Sequence, residues 1–142
     1  MPTIAQLKKH SLYKQIKGRS KMKKAELITS IFTLQFIHQS DRKEVLKKIY
    51  KHLKPGGAFI WLEKVRAPSP RLQDLINNAY MKFKLKNFQP SEVLAKTFSL
   101  SSVMDPLTSA QNHALLQEVG FDECVVFFKS YCFEGILATK NV

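Results

Sequence analysis

The apolar positions between residues 27 and 62 predict a strand, a helix and a second strand. Residues 27–36 are mostly β-branched or apolar, which is typical of a buried strand. A helix is predicted to begin at Asp41, which forms a capping box with Glu44 ahead of an apolar face at helical spacing. That face contains Val45, Leu46, Ile49, Tyr50 and Leu53. After a Lys-Pro-Gly-Gly turn, the apolar residues 58–62 predict a strand buried in a parallel sheet.

A long helix is predicted after Pro70, because apolar residues recur there at helical spacing. Its apolar face contains Leu72, Leu75, Ile76, Ala79, Tyr80 and Phe83. The aromatic residues Tyr80, Phe83 and Phe88 alternate with Lys82, Lys84 and Lys86, as on surfaces that stack nucleic-acid bases. The helical spacing nevertheless favours core positions for Tyr80 and Phe83. Residues 87–107 are mixed, with a short helix expected at 92–96.

The C-terminal part of the chain predicts one more helix and a β-hairpin. Thr108 and Gln111 form a second capping box, and Gly120 is expected to end that helix. Residues 124–128 and 131–137 then predict two closing strands. The fold class is therefore α/β, with a sheet of about four strands, the last one antiparallel, and helices on both faces.

Positive charge is concentrated in residues 1–54. The net charge of the chain is +12. Residues 1–54 hold 14 Lys and Arg against 3 acids, giving +11, whereas residues 55–142 hold 9 against 8, giving +1. This asymmetry favours a polyanionic partner such as nucleic acid. The alternative is a solvated, lysine-rich surface.

The first 24 residues form a basic leader with eight basic residues and no acid. Residues 12–28 are similar to the SAP and Rho-N modules, which are small helical motifs that bind DNA or RNA. The resemblance implies nucleic-acid binding by Lys14, Lys17, Arg19, Lys21, Lys23 and Lys24. The alternative is a Lys-rich leader without such a role. The predicted domain organisation is a leader at 1–26 followed by a folded part at 27–142.

The two cysteines predict neither a metal site nor a disulfide. Cys124 and Cys132 lack any zinc-binding spacing. A hairpin turning near residues 129–130 would place Cys124 opposite residue 135 and Cys132 opposite residue 127, so the thiols would not meet. Buried, reduced cysteines indicate a cytoplasmic protein. No apolar run approaches the roughly 18 residues of a membrane span, and no signal peptide is evident, so no membrane partner is expected.

Several short motifs occur at the spacing of a known enzyme family. They are Phe-Thr-Leu-Gln-Phe at 32–36, Leu-Lys-Pro-Gly-Gly-Ala at 53–58, Glu-Lys at 63–64 and Val-Gly-Phe at 119–121. With these motifs, residues 29–139 resemble the C-terminal half of a class I S-adenosylmethionine-dependent methyltransferase domain, in particular carboxy-S-adenosylmethionine synthase. The resemblance implies a Rossmann-like fold. It also implies S-adenosylmethionine or its carboxylated form as cofactor, and a role in modifying wobble uridines of tRNA.

The same resemblance implies a cofactor cleft at the ends of the first two strands. In parallel sheets, ligands bind beyond the carboxyl ends of the strands. The residues that would line the cleft are Thr33, Gln35, Phe36, Glu63 and Lys64. The alternatives are core positions for the aromatic and aliphatic residues of 32–36, and a surface ion pair for Glu63 and Lys64. No nucleophile and base stand in a catalytic arrangement, so no catalytic residue is assigned.

The chain also departs from the family pattern. It contains no glycine-rich GxGxG turn, and Glu26 is the only acid before Asp41, whereas the family uses such a turn and an acid to hold the cofactor. Ile31 replaces the expected Asn, and Thr97 replaces an Arg that would hold the extra carboxylate. We therefore expect a truncated domain that is weak or inactive alone. The alternative function is nucleic-acid binding through the basic leader.

The strand at 27–36 is central in the complete fold of the family. Here its outer side has no partner strand within the predicted elements, although it is long and apolar. An open apolar edge invites pairing with another chain. The sequence therefore predicts self-association through residues 27–36, or aggregation. The alternative is that the leader folds over this edge.

Overall fold

The computed structural model of the chain describes residues 23–101 and 103–142. Its strands are β1 (Ala25–Ile31), β2 (Leu53–Lys64), β3 (Glu123–Ser130) and β4 (Phe133–Thr139). Its α-helices are α1 (Gln39–His52), α2 (Pro70–Leu85), α3 (Pro90–Ser101) and α4 (Ser109–Val119), and a short 3₁₀ turn covers Leu34–Phe36. Residues 1–22, with most of the predicted leader, lie outside the described residues. The strand β1 begins at Ala25, two residues before the predicted boundary at 26/27.

The four strands form one mixed sheet in the order β1-β2-β4-β3. β1 runs parallel to β2, with Ile28 opposite Phe59. β4 lies antiparallel between β2 and β3. The α/β class, the four strands and the antiparallel last strand are therefore confirmed.

The core lies on one face of the sheet. There α1 and α4 cover β2 and β4, and the strand residues that face them include Phe59, Trp61 and Ile136. Phe121, just after α4, stacks on Phe59 with ring centroids 5.9 Å apart. The helices themselves contribute Val45, Leu46, Ile49 and Leu116. The predicted apolar face of α1 and the core position of Trp61 are confirmed.

The long helix α2 lies on the other face and is packed less closely. Tyr80 contacts Phe133, whose side chain points away from that of Ile136 because neighbours in a strand alternate between faces. None of the described residues of α2 is buried. The prediction that Phe83 belongs to the core is wrong, since its side chain is 45% exposed. The described residues include no layer that covers α2.

The first strand is shorter than predicted. It ends at Ile31 rather than Phe36, because Phe32 has a positive φ of 49° and turns the chain out of the sheet. The backbone N–H of Leu34 then donates to the Glu63 side chain instead of to a neighbouring strand. Ile31 is 55% exposed, so the prediction of a fully buried strand is also wrong.

The predicted cap of α4 is present in the structure, whereas that of α1 is not. α1 begins at Gln39, with His38 as the N-cap that accepts from the Ser40 N–H, so the capping box of Asp41 and Glu44 is wrong. Glu44 pairs instead with Lys47 on the next turn. In contrast, the capping box of α4 and its C-cap are confirmed: Gly120 has a φ of 110°, which disfavours any side chain. α3 is longer than the predicted segment 92–96.

The closing hairpin has a different register from the predicted one. Cys124 lies opposite Ala138, not residue 135, because the turn is at Tyr131 and Cys132 rather than 129–130. Tyr131 takes the positive φ of 48° that this turn needs. A bulge between residues 126 and 128 then shifts the pairing by one residue. The two thiols are free, as the sequence predicted from another register.

The outer side of β1 has no partner strand among residues 23–101 and 103–142. Leu27, Ile31 and Phe32 are exposed along it, so an apolar edge is open. Edge strands of soluble proteins are usually protected by charge, bulges or covering segments. We propose that a second copy of the chain pairs with this edge.

The substitution Ile31→Lys should convert the associated chain to a monomer, because a lysine on an edge strand opposes pairing with another strand. The control is Val126→Lys on β3, the opposite edge of the sheet, which should leave association unchanged. Light scattering after size-exclusion chromatography measures the mass of each variant. A wild-type chain that stays monomeric at high concentration would contradict the proposal.

Candidate functional site

The predicted site residues meet where the parallel strands β1 and β2 end. The pairing continues one residue beyond β1, because the Phe32 N–H donates to the Leu62 carbonyl at 2.9 Å. Two backbone-to-side-chain hydrogen bonds, one donated by each segment, then join the 3₁₀ turn to β2. The Leu34 N–H donates to Glu63 Oε1 at 3.0 Å, and the Lys64 N–H donates to Gln35 Oε1 at 2.9 Å. The structure thus brings the turn and the end of β2 into direct contact.

Glu63 is the buried carboxylate at the centre of this arrangement. Its side chain is 4% exposed and also accepts from Trp61 Nε1 at 2.7 Å. Burial raises its pKa to about 7. The hydrogen bonds from Trp61 and Leu34 and the positive charge of Arg42 lower the pKa but do not outweigh burial. The alternative of a surface ion pair between Glu63 and Lys64 is therefore wrong.

Gln35 links the turn to a third segment of the chain. Its side chain is buried and bonded to β2, while its own carbonyl accepts from the Asp105 N–H at 3.2 Å. Asp105 precedes α4, and its carboxylate accepts from Gln39 Nε2 at 2.6 Å. Gln35 and Glu63 therefore use their side-chain oxygens to hold the turn in place.

Three other predicted residues leave more of their side chains accessible. Thr33, Phe36 and Lys64 are half-buried at the same end of the sheet. The Thr33 hydroxyl donates to the Ile31 carbonyl at 2.8 Å, which secures the exit from β1. Among the described residues, the Lys64 ammonium forms no ion pair. These three side chains are the part of the predicted cleft that a ligand could touch.

Arg42 is a buried residue of the site that was not predicted from the sequence. Its Nε donates to the Ile37 carbonyl at 3.0 Å, and its guanidinium also donates to the Asp105 carbonyl. Burial lowers its pKa, while the charges of Glu63 and Asp105 favour the protonated form. Helical spacing was the available signal, because Arg42 precedes Val45 by three positions and shares the apolar face of α1.

A second buried carboxylate lies beside the first. Glu134 of β4 is directly opposite Glu63 of β2 and is also buried. It is neutralised separately, since it accepts from Lys129 Nζ at 2.6 Å and from the Ser109 hydroxyl at 2.7 Å. Each carboxylate therefore has its own donors.

The described part of the chain provides no group of three metal-ligating side chains. Burial raises the thiol pKa of Cys132 and Cys124, which disfavours their reactive thiolate forms. No described helix is long and apolar enough to cross a membrane.

The chain resembles known proteins in sequence and in fold. No family model matches the chain. The carboxy-S-adenosyl-L-methionine synthase of Staphylococcus epidermidis is 41% identical over 121 residues, which are 84% of this chain and 53% of the relative. The enzyme of the same name from Shewanella woodyi is 34% identical over 84% of this chain and 50% of the relative. The chain is therefore similar in sequence to part of a class I methyltransferase domain. It spans about half the length of the curated relatives it matches.

Solved methyltransferase structures share the fold of this chain. Human N-acetylserotonin methyltransferase, in complex with S-adenosylmethionine, matches 84% of this chain and 30% of its own length, with a TM-score of 0.57 and 21% identity. At that identity the likeness establishes the fold alone. The resemblance to half of a class I methyltransferase domain is therefore confirmed in sequence and in sheet topology.

The substitution Glu63→Gln should flatten the dependence of stability on pH. Between the ordinary carboxyl pKa of 4.5 and about 7, the folded state holds a proton on Glu63 that the unfolded chain has lost. The free energy of unfolding should therefore fall as the pH rises through this range, by about 1–3 kcal/mol in total. Glutamine keeps the acceptor oxygen and cannot ionise.

Urea unfolding of the two proteins at pH 5 and at pH 8 measures this effect. The control is Glu44→Gln, which removes an exposed carboxylate of α1 and should follow the wild-type curve. If the wild type and Glu63→Gln lose the same free energy of unfolding between pH 5 and pH 8, Glu63 is ionised throughout this range and the prediction is wrong.

Proposed function

We propose that the chain supplies one half of an S-adenosylmethionine site of the carboxy-S-adenosyl-L-methionine synthase type. The observation that carries the proposal is the pair of hydrogen bonds that fix the 3₁₀ turn against Glu63 and Lys64. These bonds lie at the carboxyl ends of two adjacent parallel strands. Ligands of open α/β sheets bind at this end of the strands. The 41% identity to a carboxy-S-adenosyl-L-methionine synthase supports the same assignment.

Within this proposal the five site residues have two roles. Gln35 and Glu63 are positioning residues, because their oxygens are bonded to Lys64, Leu34 and Trp61 within the protein. Thr33, Phe36 and Lys64 contact the cofactor, since their side chains remain partly accessible. S-adenosylmethionine carries a carboxylate, and the Lys64 ammonium is the cation at the end of β2 that suits it.

The other half of the site must come from a glycine-rich segment that this sequence does not contain. In the family, that segment precedes the strand corresponding to β1, whose outer side is open in the described residues. The proposal is that a glycine-rich half, when it is present, takes the place of the second copy beside β1 and completes the site. Synthesis of the carboxylated cofactor by this chain alone is not expected, because Thr97 carries no charge and bonds to the Val93 carbonyl of its own helix.

A second candidate function is nucleic-acid binding by the basic leader. The sequence observation that favours it is the cluster of eight basic residues with no acid in residues 1–24. Of the six basic residues proposed as contacts, Lys23 and Lys24 are described, and both are exposed just before β1. Such a segment binds phosphates irrespective of base sequence.

The chain alone should bind S-adenosylmethionine more weakly than about 100 μM, which is roughly −5.5 kcal/mol. Addition of the part of the Staphylococcus epidermidis relative that this chain does not match should tighten binding at least about tenfold, because it supplies the glycine-rich half. Isothermal titration calorimetry measures both affinities. In the complemented pair, Lys64→Ala should weaken binding, whereas Lys51→Ala on the exposed side of α1 should not.

Two results would count against this assignment. Micromolar binding by the chain alone would remove the need for a second half. A complemented pair that binds no tighter than the chain alone would mean that residues 32–36 and 63–64 do not form half of a cofactor site.

Deletion of residues 1–24 should abolish binding to duplex DNA if the leader provides the phosphate contacts. For the full chain, affinity should fall steeply with salt, because each neutralised phosphate releases about 0.9 counterion. Deletion of residues 1–13 is the matched control, since it keeps Lys14 through Lys24. Fluorescence anisotropy across a salt series measures the change. If deletion of residues 1–24 leaves the affinity for DNA unchanged, the leader does not bind nucleic acid and serves only as a solubilising segment.

A further inference from the structure

Five aromatic rings form a continuous cluster on the sheet face opposite the core. Phe133 of β4 contacts Phe32 and Tyr80, with ring centroids 5.4 Å apart in each pair. Tyr131, in the β3–β4 turn, contacts Tyr80 at 5.6 Å and Phe83 at 5.5 Å. We call these residues the ring cluster. It extends from the end of β1, across β4, to the last turn of α2.

The ring cluster is not a closed hydrophobic core. Phe32 and Tyr131 are each 39% exposed and Phe83 is 45% exposed. Tyr80 and Phe133 are half-buried beneath them. The outer rings therefore present aromatic surface to solvent, while the inner rings hold them in place. The helical spacing alone had favoured a core position for Phe83.

Lysines from three elements accompany the ring cluster. Lys84 of α2 places its Nζ 4.7 Å from the centre of the Tyr80 ring. Lys64 of β2 is directly opposite Phe133 of β4. The pKa of Lys84 is lowered, chiefly by burial and also by the positive charges of Lys64 and of Lys96 on α3. Cys132 acts in the opposite direction. Within the described ranges, none of the three lysines forms an ion pair.

Rings held at a surface beside unpaired cations suit one class of ligand. An unstacked nucleic-acid base can stack on a ring such as Phe83 or Tyr131, and its phosphate can contact a lysine nearby. An apolar protein segment would match the rings but would leave the lysine charges uncompensated. A duplex would match the lysines but would keep its bases away from the rings.

We propose that the ring cluster, Lys64 and Lys84 form a binding surface for single-stranded nucleic acid. Bases stack on Phe83 and Tyr131, and the lysines contact the backbone phosphates. The surface is separate from the basic leader, which offers phosphates only positive charge. It shares Lys64 with the proposed cofactor site, but its main contacts are on α2 and the β3–β4 turn, so the tests below use residues outside that site.

The test measures binding of the full chain to two fluorescent probes of about 12 nucleotides, oligothymidylate and an abasic strand of the same length. Phe83→Leu keeps an apolar side chain but removes the ring, and should weaken binding of oligothymidylate at least about fivefold. Phe83→Tyr keeps the ring and should restore wild-type affinity. Neither substitution should change binding of the abasic strand, which has no bases to stack.

Two further variants separate the surface from general effects. Lys84→Gln should lower the salt dependence for oligothymidylate by about 0.7 in the slope of log affinity against log salt. Phe98→Ala on α3 removes an exposed ring that takes part in none of these contacts and should bind as wild type. If Phe83→Leu binds oligothymidylate as tightly as wild type, or weakens both probes equally, the proposal is wrong. Binding by the leader would be unaffected by either result.

Discussion

One buried carboxylate joins the elements at the candidate site. Glu63 accepts from the backbone of Leu34 and from the Trp61 indole, so a strand, a turn and the largest core side chain share one oxygen. Hydrogen bonds to a buried charged group are worth more than neutral ones, and the loss of a partner leaves the charge uncompensated. The position of the turn therefore depends on β2 rather than on the strand from which it emerges. The buried Arg42 anchors the neighbouring loop in the same way, with backbone carbonyls as its partners.

This dependence explains how the chain can keep an ordered site beside an unpaired strand. β1 is bonded on one side only in the described residues, yet residues 32–36 are held by side chains of β2 and by the loop before α4. The exposed Ile31 and Phe32 lie at the same corner of the sheet as the half-buried Thr33, Phe36 and Lys64. A partner that pairs with the edge would thus also approach the cleft.

The sequence predicted the elements whose signals are local. The apolar periodicity of α1, the capping box at Thr108 and the run at 58–62 each carry their information within a few residues, and each was correct. The predicted end of β1 and the predicted hairpin register were wrong. Both depend on a positive φ, at Phe32 and at Tyr131, which the sequence does not signal when the residue is not glycine. The candidate site residues were predicted by resemblance, but their division into inward and accessible groups was not. That division depends on the partners of Glu63 and Gln35, which are distant in sequence.

The order of strands has a consequence for how the chain is made. β4 follows the other three described strands in the chain, yet it lies inside the sheet and is the neighbour that connects β3 to β2. Until residue 139 has left the ribosome, β3 has no strand to join, and the middle of the sheet stays incomplete. Pairing of β4 is therefore the step that completes the sheet, so loss of this strand would divide the sheet rather than trim its border.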